Sequence, residues 1–155
     1  EAKWLRKLNK HSIGPKLLVT DKDYLIYEYV DGDFVIDYFK KSGKGNIKII
    51  IKNVFNQLFV LDRSKIDKEE MHRPVKHIII SKNKPYLIDF ERIHYTQNPK
   101  NVTQFCQFLI SSYVGEILRK KKIVIDKNKI IQLAKIYKND YNIKNFQYLI
   151  ENFFR

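Results

Sequence analysis

Cysteine occurs once in the 155 residues, at Cys106, so no internal disulfide is possible, and one thiol with four histidines leaves no cysteine-rich zinc site. No apolar run approaches the ~20 residues of a membrane-spanning helix, and the N-terminal stretch lacks the apolar core of a signal peptide. The chain is therefore expected to be soluble and cytoplasmic, with no membrane partner. Glycine is scarce as well. The glycines at 14, 32, 43, 45 and 115 form no Gly-x-Gly-x-x-Gly, and Gly43-Lys44-Gly45 lacks the spacing and the Ser/Thr of a Walker phosphate loop. Acidic residues are outnumbered, 17 against 30 basic ones, leaving a formal charge of +13.

What is present points to a folded domain. Hydrophobic residues make up 44% and aromatic residues 14%, which argues against disorder, and the length suits one core, or one core with a small appendage. The positive charge favours a polyanionic partner. Yet 24 of the 30 basic residues are Lys, in a chain also rich in Ile and Asn. Specific phosphate and base recognition favours the forked Arg side chain, so composition bias is the first reading of this charge and a nucleic-acid groove the second.

Patterning predicts an α+β domain with most of its mass in helices. Trp4, Leu5 and Leu8 set a helix within 1–12, stopped at Gly14-Pro15. Residues 16–20 and 24–29 read as a hairpin across Asp21-Lys22-Asp23, 35–41 as a short helix and 42–46 as a loop. The clearest helix spans 47–61, with Ile47, Ile50, Ile51, Val54, Phe55, Leu58 and Phe59 at helical spacing. A polar stretch, 62–76, precedes a second hairpin, 78–80 and 86–90, connected by Lys82-Asn83-Lys84-Pro85. From Asn101 the chain reads as helices, with Asn101 and Gln104 as a capping box and Asp126 as the cap of a later helix. Cys106, in a Phe-rich stretch, is expected to pack in the core. Arg119-Lys120-Lys121-Lys122 reads as a solvated helix end.

The stretch Tyr86-Leu87-Ile88-Asp89-Phe90-Glu91 carries the most chemistry. A carboxylate just past a buried strand suits Mg²⁺ bound to phosphate oxygens, because Mg²⁺ takes few protein ligands and the rest from substrate and water. Upstream lie Glu70 and then Met71-His72-Arg73-Pro74-Val75-Lys76-His77. His72 and His77 do not match a helical His-x-x-x-His pair, and Pro74 forbids a regular helix between them, so zinc is not expected there.

This order of carboxylate, basic residues, hairpin and carboxylate resembles the catalytic half of a protein kinase. The set Arg73-Pro74-Val75-Lys76-His77, Ile88-Asp89-Phe90-Glu91 and Asn98-Pro99-Lys100-Asn101-Val102-Thr103 is similar to that of the small archaeal serine/threonine kinases related to the RIO and KEOPS-type families. The resemblance covers roughly residues 1–112. It implies a kinase-like fold: residues 1–30 as a remnant of the small lobe, with the mobile helix and last strands, and 31–155 as the helical lobe. It further implies ATP and Mg²⁺ as cofactors and a protein substrate. Glu1 looks like the ion-pairing Glu of the mobile helix, and Tyr27, Glu28, Tyr29 and Val30 look like the adenine-binding hinge. Glu70 stands at the catalytic acid, Lys76 at the residue that neutralises transferring phosphate, and His77 and Asp89 at the metal ligands. The sequence departs from the family pattern at Lys68-Glu69-Glu70, which replaces His-Arg-Asp, and at Glu91, which replaces the Gly of Asp-Phe-Gly. No Gly-rich loop or strand lysine is present; where they exist, they are expected upstream of Glu1. The alternative is a pseudokinase scaffold that binds protein or RNA through its basic surface.

Overall fold

In the computed structural model, which describes residues 1–154, helix α1 (Ala2–Asn9) buries Leu5 and Leu8. It ends where Ser12 and Gly14 take left-handed backbone angles, φ 57° and 79°. Gly14 is required at that corner: an added Cβ would stand 2.9 Å from Leu5 Cδ1 and 3.0 Å from Phe90 Cε2. The Asn9 side chain ties the corner, donating to the carbonyls of Ile13 (3.1 Å) and Pro15 (2.9 Å) and accepting from the Leu17 N–H (2.8 Å). The expected first hairpin follows as antiparallel β1 (Leu17–Thr20) and β2 (Leu25–Tyr27). β2 is shorter than the expected 24–29, so Tyr24, Glu28 and Tyr29 lie outside the strand.

Next come β3 (Asp33–Phe34), α2 (Val35–Lys41) and the central helix α3 (Lys44–Arg63), which buries Ile47, Ile50, Ile51, Val54, Phe55, Leu58 and Leu61 and half-buries Phe59. α3 begins at Lys44, inside the segment predicted as loop. Gly43 holds the N-cap in an extended conformation, and its carbonyl accepts from the Ile47 N–H at 3.1 Å. Two short strands, β4 (Ile66–Asp67) and β7 (His94–Tyr95), pair antiparallel, and between them β5 (Ile78–Ser81) and β6 (Lys84–Leu87) form the second hairpin. β5 lies between β3 and β6 in an antiparallel sheet.

The second hairpin corrects the expected strand at 86–90. Ile80 pairs with Pro85 and Ile78 with Leu87, so the strand is 84–87 and Ile88, Asp89 and Phe90 lie beyond it. Lys82 and Asn83 have φ of 49° and 59°, the left-handed pair of a tight two-residue hairpin turn. Pro85 is tolerated because β6 is an edge strand.

The remaining helices are α4 (Asn101–Leu109), α5 (Ser112–Lys120), α6 (Lys127–Asn139) and α7 (Ile143–Phe153). Phe55 of α3 meets Phe105 of α4 at 4.9 Å and Phe153 of α7 at 5.2 Å, both edge-on, joining three helices in one aromatic core. Asp126 caps α6 as predicted, accepting from the Lys129 N–H at 3.1 Å. Cys106 is buried in that core, and burial pushes its thiol well above the usual range. Leu5, Leu8 and Ile13 belong to the same buried cluster as α3 and the later helices. The fold is α+β. Among the described residues no helix is long and apolar enough to cross a membrane.

Candidate functional site

The candidate site is built on the two loops that follow β4 and β6. Glu69, Glu70 and Asp89 all have left-handed backbone angles, φ 62°, 58° and 62°, a conformation costly for residues with a Cβ. Local hydrogen bonds hold them there. Asp67 accepts from the N–H groups of Glu69 (2.8 Å) and Lys100 (3.1 Å), and the Glu70 carbonyl accepts from the Arg73 N–H (2.9 Å). The Asp89 carboxylate accepts from the Glu91 N–H at 3.4 Å, bending the chain as an Asx turn does.

His77 joins these loops. Its Nε2 lies 2.9 Å from Glu70 Oε2 and its Nδ1 lies 3.7 Å from Asp89 Oδ2. One ligand atom from each of Glu70, His77 and Asp89 lies within 4.8 Å of the others. Glu70 is also held by Arg92, whose guanidinium donates to Oε1 at 2.8 Å. Behind the cluster stands Lys68, only 2% exposed, with Nζ donating to the Asp89 carbonyl at 2.6 Å, 3.5 Å from His77 Nδ1 and 5.1 Å from the centre of the Phe90 ring. Burial lowers the Lys68 amine to about 8, against the opposing pull of Asp89, Glu70 and Glu1. Burial, with the Lys68 charge second, also lowers the His77 imidazole below its ordinary value.

Two cavities flank this cluster. A polar cleft of about 590 Å³ has Glu70 and His77 in its wall with Arg73, Arg92, His94 and Lys100. On the other side, a cavity of about 280 Å³ is lined by Glu1, Tyr27, Tyr29, Val30, Ile88 and Asp89, among others. The sequence-predicted residues Glu1, Tyr27, Tyr29, Val30 and Asp89 are thus brought together, with Glu70 and His77 next to them. Glu1 accepts from the Phe90 N–H at 3.3 Å. Glu28 opens instead onto a third cleft, with Asp31, Tyr38 and Tyr86. Lys76 is exposed and lines neither flanking cavity.

Family models and curated proteins were searched, and none matches this chain. Its chemistry therefore rests on its own residues.

Sequence reasoning missed the burial of Lys68 and the inward-facing role of Asn101. Among 24 lysines nothing distinguishes a buried one, and the stretch 62–76, predicted as merely polar, holds buried Asp62, Asp67 and Lys68. Nor does the capping box at Asn101 and Gln104 form. Asn101 turns inward, accepting from the Lys68 N–H at 2.9 Å and donating to Asp62 Oδ1 (2.8 Å) and the Ile66 carbonyl (2.7 Å). Gln104 accepts from the Met71 N–H at 3.2 Å. These side chains hold the loop after β4 instead of capping their own helix. Asp62, buried and without a cation partner among the described residues, supplied the competing demand for donors.

Proposed function

We propose that this chain is a kinase-like, ATP-dependent phosphotransferase of the serine/threonine type, or an ATPase of the same architecture. The supporting observation is that Glu1, Tyr27, Tyr29, Val30 and Asp89, far apart in sequence, line a single cavity with Glu70 and His77 beside it. In this reading adenine would meet the segment 27–30, and Asp89 and His77 would hold the divalent cation that accompanies ATP and neutralises charge on its phosphates. Glu70, oriented by Arg92, faces the polar cleft and positions the hydroxyl of a protein substrate, or a water. Lys68 neutralises the acidic cluster from behind. Most of the rate comes from positioning and charge neutralisation, because phosphoryl transfer needs little covalent help from the protein.

Thermal unfolding of the full chain with Mg-ATP tests this. A ligand at one hundred times its dissociation constant stabilises the native state by about 2.7 kcal/mol, so a clear rise in Tm is expected, lost in Asp89→Asn along with phosphate transfer or ATP turnover. No rise in the wild type, or turnover unchanged in Asp89→Asn, overturns the reading. A chain that ignores Mg-ATP but binds RNA with a steep salt dependence is the scaffold alternative instead.

A further inference from the structure

We infer that Glu70, His77 and Asp89 form a three-ligand site for a first-row transition dication, of the Mn²⁺ to Zn²⁺ class, which binds without nucleotide and in preference to Mg²⁺. The donor set decides the class of ion. An imidazole nitrogen between two carboxylates suits borderline ions, whereas Mg²⁺ takes oxygen. Geometry supports closure around one ion. Two ligands ~2.1 Å from a metal and at right angles to each other stand ~3 Å apart, and His77 Nε2 and Glu70 Oε2 are already 2.9 Å apart. Asp89, whose side chain is 49% exposed, faces the other ring nitrogen, Nδ1, at 3.7 Å, and is the corner free to swing toward a shared ion, one ligand atom from each of the three residues lying within 4.8 Å of the others. The cluster can take the added charge: Glu70 and Asp89 bring two carboxylates to His77, and the buried cation beside them, Lys68, donates to the Asp89 backbone carbonyl and stands 3.5 Å from His77 Nδ1. That ammonium is the competitor of any metal here, and it sets the affinity. With three protein ligands in place, the remaining positions stay open to water or phosphate oxygens. A carboxylate that binds the ion through one oxygen still orients whatever occupies the next position.

The test titrates the full chain, free of nucleotide, with MnCl₂, CoCl₂ and MgCl₂, followed by calorimetry and by the electron paramagnetic resonance of Mn²⁺. One Mn²⁺ or Co²⁺ per chain is expected, bound at least about tenfold more tightly than Mg²⁺. Glu70→Gln and His77→Ala each weaken binding at least about tenfold, and Lys68→Met strengthens it by a similar factor, because a cation beside the ion is removed. Circular dichroism checks each fold, with His77→Gln replacing any His77→Ala that fails to fold. Mg²⁺ binding as tightly as Mn²⁺, binding unchanged by loss of His77, or no binding in both the wild type and Lys68→Met would each overturn the inference. With no nucleotide in the titration, a failure to bind ATP leaves this site standing, and a failure here leaves the ATP test unaffected.

Discussion

Asp62 shows how one buried charge organises its surroundings. Its carboxylate is fully buried and accepts from Tyr137 Oη (2.7 Å), Asn101 Nδ2 (2.8 Å) and the N–H groups of Asn101 (3.2 Å) and Val102 (3.3 Å). Burial outweighs these donors and raises its pKa from 3.8 to about 6. The folded state therefore holds this proton more tightly than the unfolded one. The stability it contributes is complete below pH ~4 and is lost as pH rises to about 6, on the order of 3 kcal/mol at two pK units. Urea unfolding measured from pH 4 to 6.5 should show the stability of wild type minus Asp62→Asn falling across that window. A difference that stays constant would refute the assignment. Through Asn101 the same carboxylate reaches the Lys68 N–H, so the candidate site is held from the core outward.

At the scale of elements, the pairing of β3 with the central strand β5 seats Gly32 against Ile80, and Gly32 makes the close approach possible. A Cβ there would lie 2.1 Å from the Ile80 carbonyl oxygen and 2.8 Å from its carbon, both backbone atoms that cannot give way cheaply. Gly32→Ala is expected to destabilise the fold by at least ~2 kcal/mol, in the range of other backbone clashes. Gly45→Ala serves as the control. Nothing lies within 4 Å of its Cβ position in the first turn of α3, and replacing a helical Gly by Ala should stabilise by ~0.5–1 kcal/mol. Urea unfolding of both variants decides the matter; similar effects at the two glycines would contradict the packing described. Element boundaries moved where backbone demands overrode side-chain pattern. Pro85 joins a strand because the turn at Lys82-Asn83 fixes the register, and α3 gains a turn because Gly43 caps it.

Across the whole molecule the net charge is +13, and the Lys and Arg ion pairs among the described residues are few: Lys41–Asp33 at 2.7 Å, Arg92–Glu70 at 2.8 Å and Arg119–Glu116 at 2.9 Å, all with an exposed cation. Such surface pairs contribute little each, so self-repulsion is the larger electrostatic effect. Raising ionic strength from 20 to 300 mM should therefore raise the Tm in differential scanning fluorimetry, as the Debye length shortens. A Tm that falls with salt would mean that attractive pairs dominate.

The sequence by itself determined the α+β class, the central helix, the two hairpins, the Asp126 cap and the burial of Cys106, because each follows from short-range periodicity, turn chemistry or the cost of exposing apolar surface. Asp89 was legible for the same reason, as a carboxylate just past an apolar strand. Tertiary structure alone decided that Asn101 and Gln104 serve a neighbouring loop and not their own helix, that Lys68 is buried, and that Lys76 stays in solvent. Tertiary contact also placed His77 between Glu70 and Asp89. Those outcomes depend on which buried polar groups meet across long separations. Local spacing cannot encode that, since a buried donor takes the nearest acceptor in space and not in sequence.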